Sequence, residues 1–334
     1  MVKKSNTEAK KLNLPWIEKY RPNSIEQVSS QEEIVAVLKK ALTSDNLPHM
    51  LFYGPPGTGK TSTILALAKE LYGPELIKSR VLELNASDER GISVVREKIK
   101  NFAKTNVTIA NKETKNSYPC PPYKIIILDE ADSMTGDAQS ALRRVMENYS
   151  KITRFCLICN YISRIIEPLT SRCAKFRFKP LPIDSMKGRL KFICEKENLD
   201  CRDNVIESLI KVSDGDLRKG VMFLQSASQL YKDEEIPMSA VNEISGSIPN
   251  DVVSQFLNCC LKKKFSEFKK ILDKIQNEGY SGTQFLIQFQ ELLMENEEIS
   301  SLEKSKLSIK VAQVDKSLVD GSDEYLQLMS LIAV

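Results

Sequence analysis

The sequence predicts an α/β domain, a parallel sheet flanked by helices, followed by a small helical domain and an all-helical C-terminal domain. Three observations predict it. Gly54-Pro55-Pro56-Gly57-Thr58-Gly59-Lys60-Thr61 lies between a short apolar run, residues 49–53, and a helical run, residues 62–71. Lys124-Ile125-Ile126-Ile127-Leu128 is continuously apolar after its first residue and ends in Asp129-Glu130. Such a stretch suits a central parallel strand buried on both faces. From Asp184 onward the pattern is helical, with no convincing further strand.

At 334 residues the chain is too long for one small core and suggests two or three domains. It is 42% hydrophobic and 28% charged, a globular composition. The formal net charge of +4 permits a nucleic-acid partner without demanding one, so any such face must be a local patch. Residues 1–13 are charged and lack the apolar centre of a secretory leader. No run of 18 apolar residues offers a membrane span, and no membrane partner is expected. Eight scattered cysteines fit reduced thiols in the cytosol or nucleus. Cys156 and Cys159 have the C-x-x-C spacing of zinc or redox sites, but they fall inside a strand-like run. Residues three apart on a strand point to opposite faces, which favours a core strand.

The elements follow in order. Residues 1–13 read as a disordered tail and residues 14–180 as the α/β domain. Trp16-Ile17-Glu18-Lys19-Tyr20-Arg21-Pro22 holds the only tryptophan. Its flat groups would either wall a nucleotide base or pin the N-terminal arm to the core. Residues 31–43 are amphipathic, with Ile34, Val35, Leu38 and Leu42 inward. The glycine-rich segment fits G-x-x-x-x-G-K-[ST]. Its glycines let backbone N–H groups turn around an anion, and the following helix adds the positive end of its dipole. Lys60 would reach the β- and γ-phosphates, and the Thr61 hydroxyl would ligate Mg2+.

Residues 80–85 read as a second strand, 86–91 as a turn and 92–104 as a helix. Ile92, Val95, Ile99 and Phe102 form its apolar stripe, and Arg96, Lys100 and Lys104 fall four apart beside it. Such a stripe is ordinarily a solvated face, and it also suits phosphate tracking. Residues 105–123 form a polar, then proline-rich loop. Asp129 would hold Mg2+ and Glu130 would polarise the attacking water, since α/β sheets bind ligands at the C-terminal ends of their strands. Residues 136–148 are helical. The strand containing Cys156 ends in Asn160, a neutral amide placed to orient that water. Pro168-Leu169-Thr170-Ser171-Arg172-Cys173 leads to a last strand, 174–178. Leu181-Pro182 opens a helical domain, 181–247, with helices near 185–197, 203–212 and 217–231, Asp216 capping the last. Ile248-Pro249 opens the final domain, 248–334. It has four or five amphipathic helices, one with Phe265, Phe268, Leu272 and Ile275 as its stripe. No chemistry is apparent there, so packing or oligomerisation is its expected role.

These motifs resemble those of the small subunits of replication factor C, the sliding-clamp loader, within the AAA+ ATPases. The resemblance covers nearly the whole chain and is clearest over residues 16–230. Trp16 to Pro22 resembles the family's N-terminal box, Gly54 to Thr61 its Walker A, and Leu128-Asp129-Glu130-Ala131-Asp132 its Walker B. Asn160 matches sensor 1, Ser171-Arg172-Cys173 the S-R-C signature, and Gly215-Asp216-Leu217-Arg218 sensor 2. Within the family, Phe155-Cys156-Leu157-Ile158-Cys159-Asn160-Tyr161 is most similar to the fourth animal subunit. The resemblance implies an AAA+ P-loop ATPase domain, a helical lid and a helical collar that joins a heteropentamer. It implies ATP with Mg2+ bound by Tyr20, Arg21, Pro22, Val28, residues 54–61, Asp129, Asn160 and Arg218. Arg172 would complete a neighbouring subunit's site in trans. It implies nuclear DNA replication and repair, with the other subunits, the ring-shaped proliferating-cell nuclear antigen (PCNA) and primer–template DNA as partners. Arg90, Ser93, Arg96, Lys100 and Arg164 would track the DNA backbone.

Two other readings compete. Asp129-Glu130-Ala131-Asp132 spells a helicase motif, but a helicase needs a second sheet domain with its own arginine motif, and the second half here is helical. A subunit that binds ATP as structural glue without hydrolysing it is the other, and Glu130 with Asn160 argues against it.

Overall fold

A computed structural model describes residues 14–28, 31–43, 47–88, 93, 95–105, 107, 118–231 and 234–333. The expected tail, 1–13, and most of the expected loop, 105–123, lie outside the described residues. The chain forms two compact units, residues 1–199 with 213–225 and residues 200–212 with 226–334.

The first unit carries α1 (Trp16–Lys19), α2 (Glu32–Thr43), β1 (Met50–Tyr53), α3 (Lys60–Arg80), β2 (Val81–Asn85), α4 (Lys100–Lys104), β3 (Lys124–Asp129), α5 (Gly136–Tyr149), β4 (Thr153–Cys159), α6 (Glu167–Thr170), β5 (Ala174–Arg177) and α7 (Ile183–Glu197). α8 (Asp203–Val212) belongs to the second unit, and α9 (Leu217–Leu230) begins in the first. The five strands form one parallel sheet in the order β2-β3-β4-β1-β5. β3 and β4 are interior strands covered on both faces, which is why their sequences run apolar instead of alternating. One face packs Leu51, Ile126, Leu128, Leu157 and Cys159 against Leu142 and Met146 of α5. The other packs Phe52, Ile125, Ile127, Cys156 and Ile158 against Ile64, Leu67 and Leu71 of α3. Cys156 and Cys159 thus face opposite sides. Burial raises both thiols, Cys159 to about 12, so they stay protonated as small apolar groups.

Two local expectations are corrected. Arg80 ends α3 and does not open β2. It is buried, and its guanidinium donates to the carbonyls of Pro121 and Tyr123. The helix that leaves the loop breaks at Gly73-Pro74 (Gly73 φ 65°, ψ 177°), close to the expected end at Leu71, and a second helical segment carries the chain on to Arg80. Of the expected helix 92–104, residues 95–104 are described without a gap and are helical, but they begin as a π-helical turn, Val95–Ile99, that leads into the short α4.

The second unit adds α10 (Met238–Ser245), α11 (Asn250–Lys262), α12 (Phe265–Asn277), α13 (Gly282–Glu295), α14 (Ser301–Val319), α15 (Glu324–Met329) and a closing 3-10 turn, Ser330–Ala333. Its core centres on Phe256. The ring centroids of Phe268, Phe285 and Phe289 lie 4.4, 4.7 and 5.6 Å away. α14 starts with a reciprocal cap. The Ser300 hydroxyl accepts from the Glu303 N–H, and the Glu303 carboxylate accepts from the Ser300 N–H. Phe268, Leu272 and Ile275 are buried as expected, but Phe265, in the first turn of α12, is 55% exposed.

Phe256→Ala should therefore destabilise this core by ~3–5 kcal/mol, the cost of emptying a fully buried aromatic site. The expected result is lost hydrogen-exchange protection in α11, α12 and α13, with the sheet of the first unit unaffected. Phe265→Ala is the control and should change stability by no more than ~0.5 kcal/mol.

Candidate functional site

The site forms at the C-terminal ends of β1, β3 and β4. β1 pairs with β4 up to Tyr53↔Cys159, so the phosphate-loop residue Gly54 and Asn160 leave the sheet at one level. The loop wraps Lys60, the first residue of α3. Its ammonium donates to the carbonyls of Gly54 and Pro55, both at 2.8 Å, and to Asn160 Oδ1 at 2.9 Å. Burial pushes the Lys60 ammonium below its ordinary pKa, and Asp129 counters that pull. The Thr58 hydroxyl donates to the Pro55 carbonyl at 2.9 Å, tightening the same turn.

Two glycines are required by close approach. At Gly54 an added Cβ would lie 2.3 Å from the Phe178 carbonyl oxygen. At Gly57, with φ +71°, it would lie 1.9 Å from Asp216 Oδ1 and 2.9 Å from the Asp216 Cα. Asp216 also caps α9, as expected. Its Oδ1 accepts from the Arg218 N–H at 2.8 Å and the Lys219 N–H at 3.4 Å. The phosphate loop and the start of α9 are therefore in direct contact.

Beside the loop, Thr61 Oγ1 donates to Asp129 Oδ2 at 2.6 Å, while Asp129 Oδ1 accepts from the Glu130 N–H at 2.9 Å. Glu130 is exposed and holds a left-handed backbone, φ 52°. A non-glycine residue there is strained, and such strain concentrates at functional sites.

The N-terminal arm closes the site from the other side. Lys19 and the Tyr20 hydroxyl both meet Glu197 of α7, Arg189 donates to the Tyr20 carbonyl, and the Trp16 N–H donates to Gln225 Oε1 at 3.0 Å. Loop, arm, α7 and α9 enclose a cavity of about 380 Å3. Tyr20, Arg21, Pro22, Val28, Pro56, Gly57, Thr58, Gly59, Lys60, Thr61, Asp129, Glu130, Asn160 and Arg218 all line it. Gly54 and Pro55 contribute through their carbonyls to Lys60. Trp16 lines the cavity, and its main-chain N–H ties the arm to Gln225.

The remaining expected residues lie elsewhere. Arg172 is exposed. It pairs with Glu147 at 2.6 Å and donates to the Pro168 carbonyl, and Arg143 shares the Glu147 carboxylate. Arg164 is exposed, its guanidinium 5.1 Å from the Tyr161 ring centroid. Ser93 and Lys100 are exposed. The buried Lys124 ammonium donates to the Phe102 and Thr105 carbonyls, fastening the C-terminal end of α4 to β3. Arg90, and the Arg96 side chain, lie outside the described residues.

Sequence reasoning missed Asn85, Leu181, Arg189, Ile193, Leu217 and Val221 in the cavity wall. Arg189 with Ile193, and Leu217 with Val221, stand four apart on their helices. That spacing marks a shared face, but not what the face looks onto.

A family model described as the ATPase family associated with various cellular activities (AAA) matches residues 50–181. One for an AAA+ ATPase lid domain of the RCF1/5-like kind matches 188–229, and one for the replication factor C C-terminal domain matches 248–334. Replication factor C subunit 2 of Schizosaccharomyces pombe is 55% identical over 99% of this chain and 96% of its own. Replication factor C subunit 4 of Homo sapiens is 54% identical over 98% of this chain and 90% of its own. The replication factor C small subunit of Archaeoglobus fulgidus is 44% identical over 95% and 96%. Among solved structures, the Thermotoga maritima RuvB Holliday junction branch migration motor shares the fold, with a TM-score of 0.52 at 16% identity. That match covers 80% of this chain and 90% of that one. Identity above one half along almost the entire length places this chain in the replication factor C small-subunit family.

Proposed function

We propose that this chain is an ATP-hydrolysing subunit of a clamp loader, one of several replication factor C subunits that together open the PCNA ring and load it at primer–template junctions in the nucleus. One observation carries the reading. Lys60, Asn160 and the Thr61–Asp129 pair converge at one edge of the sheet, within a cavity closed by the arm and α9. A helicase would need a second sheet, and among the described residues there is only one.

The residues fit ATP with Mg2+. The loop presents backbone donors at the N-terminal end of α3, where an anion is favoured. The Thr61 hydroxyl and the Asp129 carboxylate are hard oxygen ligands suited to Mg2+, which when bound neutralises charge on the β- and γ-phosphates. Lys60 supplies the point charge on the phosphates. Glu130 polarises the attacking water and Asn160 orients it. Arg218 adds a cation from this chain, and Arg172 offers its guanidinium to the γ-phosphate held by a neighbour. The exposed cations Lys100 and Arg164 contact DNA phosphates. The three domains of this reading are the ATPase domain, 14–180, a lid, 181–247, and a collar, 248–334.

Lys60→Ala should abolish nucleotide binding at this site while leaving the circular dichroism spectrum unchanged. Unaltered ATP affinity, measured with the other sites blocked, would rule the assignment out.

The two arginines should separate cleanly. Arg172→Ala should leave ATP affinity at this chain's own site intact and slow hydrolysis at the neighbouring one. An arginine supplied in trans contributes ~10³–10⁵-fold in other phosphoryl-transfer enzymes. Arg218→Ala should impair this chain's own site. The isolated chain should turn over ATP far more slowly than the complex, and full activity in a verified monomer would refute the shared site.

Neutralising Lys100 and Arg164 together should weaken DNA binding equally for all sequences. The slope of log affinity against log salt should fall by ~0.9 per lost contact on duplex, or ~0.7 on single strands. An unchanged slope would mean these cations only face solvent.

A further inference from the structure

We propose that Asp132 is a positioning residue that aims the Asn160 side chain at the phosphate end of the site. The inference rests on the reading of Asn160 as the group that orients the attacking water.

Asp132 lies in the 3-10 turn Ala131–Ser133, directly after the Asp129-Glu130 pair. The turn is pinned by its own bonds. The Ser133 N–H and hydroxyl both donate to the Glu130 carbonyl, at 2.9 and 2.8 Å. From it Asp132 Oδ2 reaches across to the end of β4, accepting from the Asn160 N–H at 3.2 Å and the Tyr161 N–H at 3.1 Å. The β3–β4 pairing runs to Leu128↔Leu157. Beyond it, the Asp132 carboxylate links the two chain segments. Two successive N–H groups held by one oxygen fix the two peptide planes that meet at the Asn160 Cα, and so the direction in which the Asn160 side chain leaves the backbone. At the far end of that side chain, Oδ1 accepts from Lys60 Nζ at 2.9 Å. Bonds from N–H groups to a carboxylate are stronger than neutral ones and suit this task. Asp132 touches Asn160 only through its main chain, so it acts through Asn160 and not on substrate directly.

The test uses the full chain assembled with its partner subunits. The turnover lost in a Glu130→Gln complex defines this site's share of hydrolysis. Asp132→Ala should remove at least about nine-tenths of that share, since misplacing a reacting group by an ångström costs up to ~10²-fold. ATP affinity at this site should change by less than about twofold, which separates kcat from binding. Asp132→Asn keeps an oxygen acceptor of the same shape and should recover most of the loss. In the double variant with Asn160→Ala, turnover should equal that of Asn160→Ala alone, because both changes disable one device. A normal share in Asp132→Ala, additive losses in the double variant, or an Asp132→Asn variant as slow as Asp132→Ala would each overturn the proposal. If Asn160→Ala itself retained the full share, the reading of Asn160 would fall first and this inference with it.

Discussion

The housing of the Lys60 ammonium is the constraint on which the rest of the site depends. A cation taken out of water needs acceptors, or it gives up its proton. Here it finds two loop carbonyls and one side-chain amide. The carbonyls are available only because Gly54 and Gly57 let the loop turn tightly against Phe178 and Asp216. The amide is available only because β4 lies beside β1 in register, so that Asn160 leaves the sheet level with the loop. β3, on the far side of β4, then delivers Asp129 to Thr61. The strand order is thus a requirement of the chemistry at its edge.

A second layer of contacts closes the site. Arg189, Glu197 and Gln225 grip the N-terminal arm, and Asp216 both starts α9 and abuts Gly57. The Lys19–Glu197 and Glu18–Arg21 pairs keep some contact with solvent, so each contributes only ~0–1 kcal/mol. Their effect is geometric. They keep loop, arm and helix at fixed separations, leaving the stability of the unit to the two apolar faces of the sheet.

Much of this was legible in the residues. The apolar runs of β3 and β4, the glycine spacing of the loop and the capping aspartate each follow from local rules, and the structure realises all three. What was not legible depends on distant partners. Arg80 reads as the start of a strand because Val81 to Leu84 follow it, but carbonyls of Pro121 and Tyr123 decide its place. Arg189 and Val221 join the cavity because of how α7 and α9 are set within the unit, which periodicity alone does not encode. Asn160 could be named from its place after a strand, whereas its attachment to Asp132 depends on a turn that follows a different strand.

The position of Trp16 has a practical consequence. It is the single tryptophan of the chain, it lines the cavity of the candidate site, and its ring stands edge-on to Tyr20 with centroids 6.4 Å apart. Excited selectively, the tryptophan emission of the chain therefore arises from one indole in the wall of the proposed nucleotide site. Occupancy becomes an optical signal that needs no label, and in an assembly of related subunits its other Trp residues can be replaced so that this one site is watched alone.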